Sequence, residues 1–239
     1  ITTGCGKPRD LETEGRDLRG IMFAMDFLSS QNRINSGELS PATDRVSAEG
    51  KKVLVIGGGD TGSDCVGTSI RQKAQSVTQI EIMPKPPVSR APGNPWPYFA
   101  KVLKTSTSHE EGCTRMWSLA TLRFTGENGT VKGAEVEEVE WIQQNGRMVM
   151  KPVPGTARII EADLVLLALG FIHPVLEGLI SELEVELDAR KNVSTNDSFS
   201  TSIPGIFAAG DTTTGASLVV NAIASGRKAA FSIDRFLRS

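Results

Sequence analysis

The fold is decided by the stretch KKVLVIGGGDTG, residues 51–62. Its first half is short, apolar and rich in valine and isoleucine, which is typical of a buried parallel strand. The glycines that follow match the spacing GxGxxG at Gly57, Gly59 and Gly62, and residues 61–73 have the pattern of a helix. A strand, a glycine turn and a helix in this order predict a Rossmann-like dinucleotide site.

The glycines of this turn have separate expected roles. The first permits a sharp turn, the second lets the backbone approach a pyrophosphate, and the third allows the helix to pack closely on the strand. The N–H groups at the helix start attract phosphate. The predicted dinucleotide-binding residues are Gly57, Gly58, Gly59, Asp60, Thr61 and Gly62. We expect the Asp60 side chain to be a local cap rather than a catalytic group. The alternative interpretation is that residues 57–62 form a glycine-rich turn that binds no ligand.

The patterns on either side extend this turn into an α/β domain. The predicted elements are a helix over 20–33, a loop over 34–50, strands over 51–56 and 77–83 around the helix 61–73, a proline-rich loop over 84–97, a three-strand antiparallel meander between 119 and 153, and a buried strand over 158–169. The fold class is therefore α/β, with a Rossmann-like parallel sheet and an antiparallel β-meander insert.

The residues after the second predicted strand bear on the choice of nicotinamide. NAD enzymes usually have Asp or Glu at the end of this strand, where it holds the ribose hydroxyls. Here the predicted strand ends at Ile82-Met83, and the next charges are Lys85 and Arg90, which could pair with a 2′-phosphate. Glu81 is a competing signal, but strand alternation is expected to turn it elsewhere. We therefore predict that the chain binds NADP, and NAD stays open. The alternative interpretation of Lys85 and Arg90 is that they lie in a solvated loop and bind no phosphate.

A second signature, IFAAGDTTTGASLVV, covers residues 206–220. Residues 206–209 are expected to form a buried strand that delivers Gly210 and Asp211 at its end, where a carboxylate can accept hydrogen bonds from the ribityl hydroxyls of a flavin. A helix is expected from about 215 to 237. Its first N–H groups, around Ser217, Leu218 and Val219, can face the flavin edge that becomes anionic on reduction. The alternative is a strand and an amphipathic helix without a ligand.

The composition excludes several other classes of function. The 239 residues are 39% hydrophobic and 23% charged, and the net charge of -2 leaves no basic excess for binding nucleic acid. The longest apolar run, residues 164–172, is too short to span a bilayer, and no leader pattern opens the chain. We predict a cytoplasmic protein without nucleic-acid or membrane partners.

Cysteines and histidines are few. Cys5, Cys65 and Cys113 are widely spaced and include no CxxC, so reduced thiols are expected, without a disulfide-reducing pair or a cluster that could hold iron and sulfur. His109 and His173 have no partner at metal-ligand spacing and are expected to be surface residues. No metal site is predicted.

Several stretches in one order give this chain a family likeness. They are GCGKPRDL at 4–11, FAMDFL at 23–28, GGGDTGSDC at 57–65, TSIRQ at 68–72, NPWP at 94–97, ALGF at 168–171, FAAGD at 207–211 and SLVV at 217–220. On these residues the chain resembles the small (β) subunits of NADPH-dependent glutamate synthase, within the two-dinucleotide-binding-domain flavoproteins. Where that family often has Arg-Gly-Gln before SLVV, this chain has Thr214-Gly215-Ala216.

The resemblance implies a nicotinamide domain inserted within an FAD domain. The chain would cross between the two domains in short glycine-bearing segments, similar to residues 3–8 and 168–174 here. Gly170, in the second of these segments, is expected to be a flavin-binding residue. We expect residues 1–8 to be a crossing segment, 9–168 (core 48–168) the NADP-binding domain and 169–239 the C-terminal part of the FAD-binding domain. The family's iron–sulfur cysteines and first flavin-binding glycine turn are expected in an N-terminal part outside this stretch, which alone should bind NADPH but FAD poorly.

The function implied by the resemblance is hydride transfer from NADPH to FAD. The electrons would then pass through iron–sulfur centres to a large subunit, which makes glutamate from 2-oxoglutarate and glutamine. Two alternatives stay open: a related electron-transfer subunit that feeds ferredoxin or another oxidoreductase, and a nucleotide-binding module without turnover of its own. Hydride transfer depends on alignment rather than on a protein acid or base, so no catalytic residue is predicted.

Overall fold

A computed structural model describes residues 1–40 and 46–238. The chain divides into two compact units, a central unit, Asp10–Leu169, and a terminal unit that combines Ile1–Arg9 with Gly170–Ser239. The strands are β1 Lys7–Pro8, β2 Ile21–Phe23, β3 Lys52–Ile56, β4 Ser76–Ile80, β5 Thr114–Met116, β6 Leu119–Glu127, β7 Thr130–Gln144, β8 Arg147–Pro152, β9 Arg158–Glu161, β10 Leu164–Leu167 and β11 Phe171–His173. The helices are α1 Ala24–Asn35, α2 Asp60–Arg71, α3 Thr107–Glu110, α4 Leu179–Leu183, α5 Asp211–Thr214 and α6 Val219–Arg238.

The central unit is built on a five-stranded parallel sheet in the order β2-β10-β3-β4-β5. Alternate residues of β3 enter different apolar clusters. Leu54 and Ile56 pack in the cluster that includes the antiparallel strands, whereas Val53 and Val55 pack in the cluster that includes α1 and α2. Both faces of the sheet are therefore covered, which is why β3 is an unbroken apolar run. The predicted α/β class with a parallel sheet is confirmed.

The antiparallel part of the central unit has the order β6-β7-β8, and β9 pairs with the other edge of β7. The predicted three-strand meander is therefore a four-stranded sheet, since residues 158–161 belong to it and only 164–167 join the parallel sheet. Asn145 and Gly146 both have positive φ, 51° and 76°, in the turn between β7 and β8. Such a two-residue turn is favoured because its twist matches that of the strands.

The helix predicted over 20–33 is wrong in its first turn. Residues 21–23 form the edge strand β2, which pairs in parallel with β10, and α1 begins at Ala24. Strand and helix follow each other without a loop, so the apolar spacing shows no break between them. The predicted loop over 34–50 begins inside α1, which ends at Asn35, and its Pro41 lies outside the described residues.

The second predicted strand also ends early. β4 stops at Ile80 rather than at Met83. The Glu81 N–H still bonds to the Met116 carbonyl of β5 at 2.9 Å, but the Met83 N–H bonds to the Glu81 carboxylate instead of a neighbouring strand. Residues 84–97 contain neither helix nor strand, as predicted from their prolines. Two short elements that the sequence did not reveal, α3 and β5, follow this loop and are too short to show a period.

The terminal unit is smaller. β1 and β11 pair in an antiparallel two-stranded sheet. The apolar core of the terminal unit consists of Ile180, Val185, Val193 and Ala208. The first helix after Gly170 is α4, Leu179–Leu183. The strand predicted over 206–209 is wrong: in the described part of the chain these residues contribute an isolated bridge from Phe207 to Ser200.

The long C-terminal helix also differs from its prediction. It was expected from about Gly215, but α6 begins at Val219. The reason is Gly215, whose φ of +82° is left-handed and ends the short helix α5. Ser217 and Leu218 therefore lie in the connection between two helices, not in a helical first turn. Within residues 1–40 and 46–238, the structure has no helix that is both long and apolar enough to cross a membrane.

Candidate functional site

The glycine turn joins β3 to α2 with almost no space around two of its glycines. Gly57 has a φ of +123°, and a Cβ at this position would overlap the carbonyl oxygen of Ala168. A Cβ on Gly62 would overlap the Gly57 carbonyl oxygen and lie 2.7 Å from the Gln79 side-chain nitrogen. These two positions require glycine for steric reasons, before any ligand is considered.

Gly59 is different, because a Cβ there would meet no atom within 4 Å among the described residues. Gly59 is the N-cap of α2 and provides no side-chain cap. Asp60, expected to be a local cap, is the first helical residue, and Thr61 follows it in the first turn. The first N–H groups of a helix have no partner within the helix. The start of α2 therefore presents uncapped donors beside open space, which suits a phosphate group.

Two side chains from the region of β4 hold the turn in place. The Gln79 side-chain nitrogen donates to the Gly57 carbonyl oxygen at 2.9 Å. The Glu81 carboxylate accepts from the Gly58 N–H at 2.6 Å through one oxygen and from the Met83 N–H at 3.0 Å through the other. The two peptide groups at the start of the turn are thus fixed by side chains that lie more than 20 residues away in sequence.

The position of Glu81 corrects the sequence argument about the nicotinamide. Because β4 ends at Ile80, Glu81 is the first residue beyond the strand, and its side chain points to the turn instead of elsewhere. This is the position at which an acidic residue can hold ribose hydroxyls. Both carboxylate oxygens already bond to backbone N–H groups, but a carboxylate has further lone pairs that can accept.

The two predicted cations do not reach the turn. The Lys85 amine lies 5.0 Å from the centre of the Trp117 ring. The Arg90 guanidinium bonds to carbonyl oxygens of its own loop, those of Tyr98 at 2.8 Å and Asn94 at 3.2 Å. The structure therefore does not bring Lys85 and Arg90 together with residues 57–62.

A further cation lies beside the residues that support the turn. Arg115 on β5 borders the same narrow space as Gly58, Gln79, Glu81, Met116 and Trp117, a space too small for a water molecule. Its guanidinium lies 5.1 Å from the centre of the Trp117 ring and donates to the Lys104 carbonyl oxygen at 3.0 Å. No sequence pattern indicates this residue, because β5 has three residues and follows a long irregular loop.

Neither histidine is a free surface group. His109 on α3 is partly buried and bonded to Gln79 and Ser106, so the expectation of a surface residue is wrong for it. The His173 ring nitrogen Nδ1 lies 2.7 Å from the Pro174 carbonyl oxygen. Among the described residues, no group of three or more His, Cys, Asp or Glu side chains could hold a metal ion.

The predicted flavin residues lie in the terminal unit. Asp211 begins α5, and its carboxylate accepts from the Ser217 hydroxyl at 2.9 Å. Gly210 has a φ of +79° and donates its N–H to the Ser225 hydroxyl at 3.0 Å. Leu218 and Val219 are 44% and 75% exposed. The structure therefore brings Gly210, Asp211 and Ser217 together and leaves the next two residues open.

Gly170 lies elsewhere in the same unit. It precedes β11, has a φ of +80°, and accepts from the Arg9 N–H at 2.9 Å. A cleft of about 510 Å³ lies beside this segment, with basic side chains on one part of its wall and the 214–216 backbone on another. The basic residues are Arg9, His173, Arg190 and Lys191.

All three cysteines are free thiols. Burial raises the pKa of the Cys65 thiol to about 12, and it also raises the pKa values of Cys5 and Cys113. Thiolates are the reactive form, so these groups are poor nucleophiles at neutral pH. The thiols do not suit disulfide exchange.

The chain matches the family model described as pyridine nucleotide-disulphide oxidoreductase over residues 1–226. It is 46% identical over 232 residues to the glutamate synthase [NADPH] small chain of Mycobacterium tuberculosis. It is 43% identical over 244 residues to the glutamate synthase [NADH] of Schizosaccharomyces pombe. The alignments cover 96% and 98% of this chain. The resemblance to glutamate synthase small subunits is confirmed.

The chain spans about half the length of the bacterial relative, 47%, and 12% of the yeast protein. Among solved structures, FprA from Mycobacterium tuberculosis in complex with NADPH superposes with a TM-score of 0.67 at 15% identity, covering 98% of this chain and 62% of that chain. At this identity the likeness shows the fold alone.

Proposed function

We propose, on the premise that this chain belongs to the pyridine nucleotide-disulphide oxidoreductase family, that it is part of an NADPH-dependent oxidoreductase. Its central unit would bind NADPH at the glycine turn, and its terminal unit would contribute to the binding of FAD. The observation that carries the proposal is the uncapped start of α2 beside the open face of Gly59. That arrangement offers backbone donors to a pyrophosphate where a side chain would otherwise stand.

The choice of NADPH is supported by Arg115. Arg115 borders the narrow space that Gly58 and Glu81 also line, and a guanidinium can bind a 2′-phosphate through two parallel hydrogen bonds. The bacterial relative is named for NADPH, in agreement with this choice. The predicted cations are assigned no more than a supporting role. Lys85 lies over the Trp117 ring that Arg115 also contacts, and Arg90 bonds to carbonyl oxygens of its own loop.

A second candidate, NADH, is favoured by Glu81. Its carboxylate lies directly after β4 and touches the turn, and the yeast relative is named for NADH. A carboxylate at this position accepts from ribose hydroxyls and repels a 2′-phosphate. The two candidates therefore depend on which of two neighbouring side chains, Arg115 or Glu81, contacts the ribose.

The residues proposed for FAD are Gly170, Gly210, Asp211, Ser217, Leu218 and Val219. The donor set suits a flavin, because the Asp211 carboxylate already accepts one hydroxyl, that of Ser217, and can accept ribityl hydroxyls in the same way. FAD, when bound, supplies the chemistry of accepting a hydride and releasing its electrons. The chain's own contribution is to bind, orient and shield, and no side chain is proposed as an acid or base.

The partners proposed for the whole protein are a glutamate synthase large subunit and the remaining part of the small chain. The names and lengths of the relatives support this. Electrons would pass through iron–sulfur centres outside this stretch, and glutamate would form from 2-oxoglutarate and glutamine. A related subunit that serves a different acceptor, or a binding module without turnover, would use the same residues. The free thiols agree with a reducing, cytoplasmic setting.

Calorimetric titration of the purified chain with NADPH, NADH and ADP-ribose tests the proposal. We expect all three to bind, since all contain the pyrophosphate, and we expect NADPH to bind about tenfold more tightly than NADH because of one charged contact. Equal or tighter binding of NADH would contradict the choice of NADPH. Absence of binding by all three would contradict the proposed function itself.

A further inference from the structure

A chain of hydrogen bonds connects α3 to the glycine turn. The Ser106 backbone N–H lies 3.1 Å from the His109 ring nitrogen Nδ1, and the other ring nitrogen, Nε2, lies 2.9 Å from the Gln79 side-chain oxygen. The Gln79 side-chain nitrogen then reaches the Gly57 carbonyl oxygen at 2.9 Å. Gln79 is 2% exposed, so each of its bonds is made away from water.

The chemistry of the two ends fixes the direction of every bond. The Gly57 carbonyl can only accept, so the Gln79 amide must turn its nitrogen to it and its oxygen to His109. An amide oxygen can only accept, so Nε2 of His109 must carry a proton. The Ser106 N–H can only donate, so Nδ1 must be unprotonated. The neutral imidazole with its proton on Nε2 is the one form that satisfies both partners.

The same group of residues also touches the helix side of the turn. The Ser106 hydroxyl lies 3.0 Å from Nδ1 of His109 and bonds to the hydroxyl of Ser63. Ser63 is in the first turn of α2, and its backbone N–H bonds to the Gly59 carbonyl oxygen at 3.0 Å. The ring of His109 therefore sits between connections to both ends of the turn, Gly57 on the strand side and Gly59 on the helix side.

We propose that His109 is a positioning residue for the dinucleotide: its neutral Nε2–H form holds the glycine turn through Gln79 and Ser106, and protonation weakens the Ser106 side of that support. This inference rests on the proposed function of residues 57–62. The residue does not contact the nucleotide. It acts by keeping the backbone donors of the turn and of the first helical turn aimed at one position.

Protonation would remove one bond of this network, because an imidazolium donates from both nitrogens and the Ser106 N–H loses its acceptor. The new Nδ1–H would turn to the Ser106 hydroxyl, 3.0 Å away, while the Nε2–H would still donate to Gln79. Burial lowers the pKa of His109, and the charge of Arg115 lowers it further. The titratable and charged groups on the surrounding elements are Arg115 on β5, Cys113 before it, Glu81 after β4, Glu110 on α3, Asp60, Asp64, Cys65 and Arg71 on α2, and Glu111, which pairs with Arg71.

The sign of the pH effect follows from these contacts. Because the lowered pKa favours the neutral ring in the folded chain, the turn is held at neutral and alkaline pH. The Ser106 side of the support weakens only at a pH below the ordinary histidine value of about 6.5, because the ring is protonated as the pH falls through its lowered folded-state pKa. Nucleotide affinity should therefore decrease on acidification, and a side chain that cannot titrate should remove that decrease.

The test measures the affinity for ADP-ribose between about pH 5.5 and pH 8 for the 239-residue chain and three variants. ADP-ribose has the pyrophosphate but no phosphate monoester, so it has no phosphate that titrates near pH 6. The variants are His109→Gln, which retains a donor toward Gln79, His109→Leu, which has neither donor nor acceptor, and His173→Gln, the matched control at the other histidine.

We expect the wild-type affinity to fall across this pH range by several-fold and by less than about tenfold, because the lowered pKa of His109 leaves part of the rings neutral at about pH 5.5. His173→Gln should follow the wild type. His109→Gln should be within about threefold of the wild type at pH 8 and independent of pH, and His109→Leu should be about tenfold weaker at pH 8. If His109→Leu fails to fold, the pH profiles of the wild type and His109→Gln still decide.

Two results would overturn the inference alone. One is a wild-type chain that binds ADP-ribose with a pH profile that His109→Gln does not change. The other is a nitrogen NMR spectrum at neutral pH in which Nδ1 of His109 carries the ring proton. If the wild type binds no ADP-ribose at any pH, the proposed function of the glycine turn fails, and the inference that rests on it fails as well.

Discussion

The glycine turn of the central unit and the segment 210–219 of the terminal unit differ in how they are supported. Around the turn, peptide groups are held from the side by Gln79 and Glu81, and two glycines have no room for a side chain. In the terminal unit, α6 has a single buried residue, Ala229, and apolar side chains such as Val219 and Phe231 are 75% and 65% exposed.

The described residues therefore supply more of the nucleotide site than of the flavin site. The central unit supplies strand, turn, helix and the side chains that brace them. The terminal unit supplies Asp211 and Ser217 in contact, but an amphipathic helix whose apolar side finds few partners in its own unit. Nucleotide binding should therefore be a property of this chain alone, whereas flavin binding should depend on further parts of the protein.

Among these predictions, Gly57→Ala should have the largest effect on stability and on nucleotide binding. The added Cβ would overlap the Ala168 carbonyl oxygen at a φ of +123°, so we expect a loss of roughly 3 kcal/mol in the free energy of unfolding and loss of nucleotide binding. Urea denaturation and NADPH titration measure the two effects.

Gly59→Ala is the matched control. Its Cβ would meet no atom within 4 Å in the described part of the chain, so stability should change by less than about 1 kcal/mol while NADPH binding weakens, because the methyl group occupies the space proposed for the pyrophosphate. Equal destabilisation by the two substitutions would show that the turn is not sterically constrained at Gly57. Unchanged binding in Gly59→Ala would place the pyrophosphate elsewhere.

The next prediction compares one valine in each unit. Val66 on α2 is fully buried, whereas Val220 on α6 is 61% exposed. Val66→Ala should lower the free energy of unfolding of its unit by about 2 kcal/mol, and Val220→Ala by about 0.5 kcal/mol or less. Both positions are helical, so the gain in helix propensity is common to both and the difference measures burial. Similar losses would mean that α6 is packed in solution by another part of the protein or by a second copy.

The central unit also shows what the sequence could predict and what it could not. The strand–turn–helix of residues 52–71 was predictable because its signals are local: a buried apolar run, spaced glycines and an amphipathic helix. The bonds that brace the turn were not, because they join Gly57 to Gln79 and Gly58 to Glu81 across 22 and 23 residues, and no period in the sequence records such pairs.

The errors have a common physical cause. The sequence pattern predicts helix α1 too early, over β2, and predicts β4 too far, to Met83. In both cases apolar spacing continues where a tertiary partner ends the element. A strand that ended at Met83 would place Lys85 and Arg90, rather than Glu81, beyond its end. In the terminal unit, α6 begins later than its pattern predicts because a positive φ at Gly215 ends the preceding helix α5.

The smallest expected effect is on the preference between NADPH and NADH. It compares Arg115 with Glu81 within the central unit. Arg115→Ala should weaken NADPH binding by about tenfold and leave NADH binding within about twofold, because one charged contact to a 2′-phosphate is lost. Glu81→Gln should shift the ratio of the two affinities toward NADPH, since a neutral side chain no longer repels phosphate. The amide oxygen can still accept from the Gly58 N–H, but the amide nitrogen cannot accept from Met83, so both affinities should fall while the ratio changes. Parallel calorimetric titrations measure both ratios.

Arg123→Ala is the control for the loss of a positive charge, because this residue is paired with Glu135 on the antiparallel sheet. It should change neither affinity, as an exposed ion pair contributes little. If Arg115→Ala behaves like Arg123→Ala and Glu81→Gln weakens NADH binding more than NADPH binding, then Glu81 holds the ribose hydroxyls. The chain would then be an NADH-binding protein, and the proposed preference for NADPH would be wrong while the glycine turn kept its role.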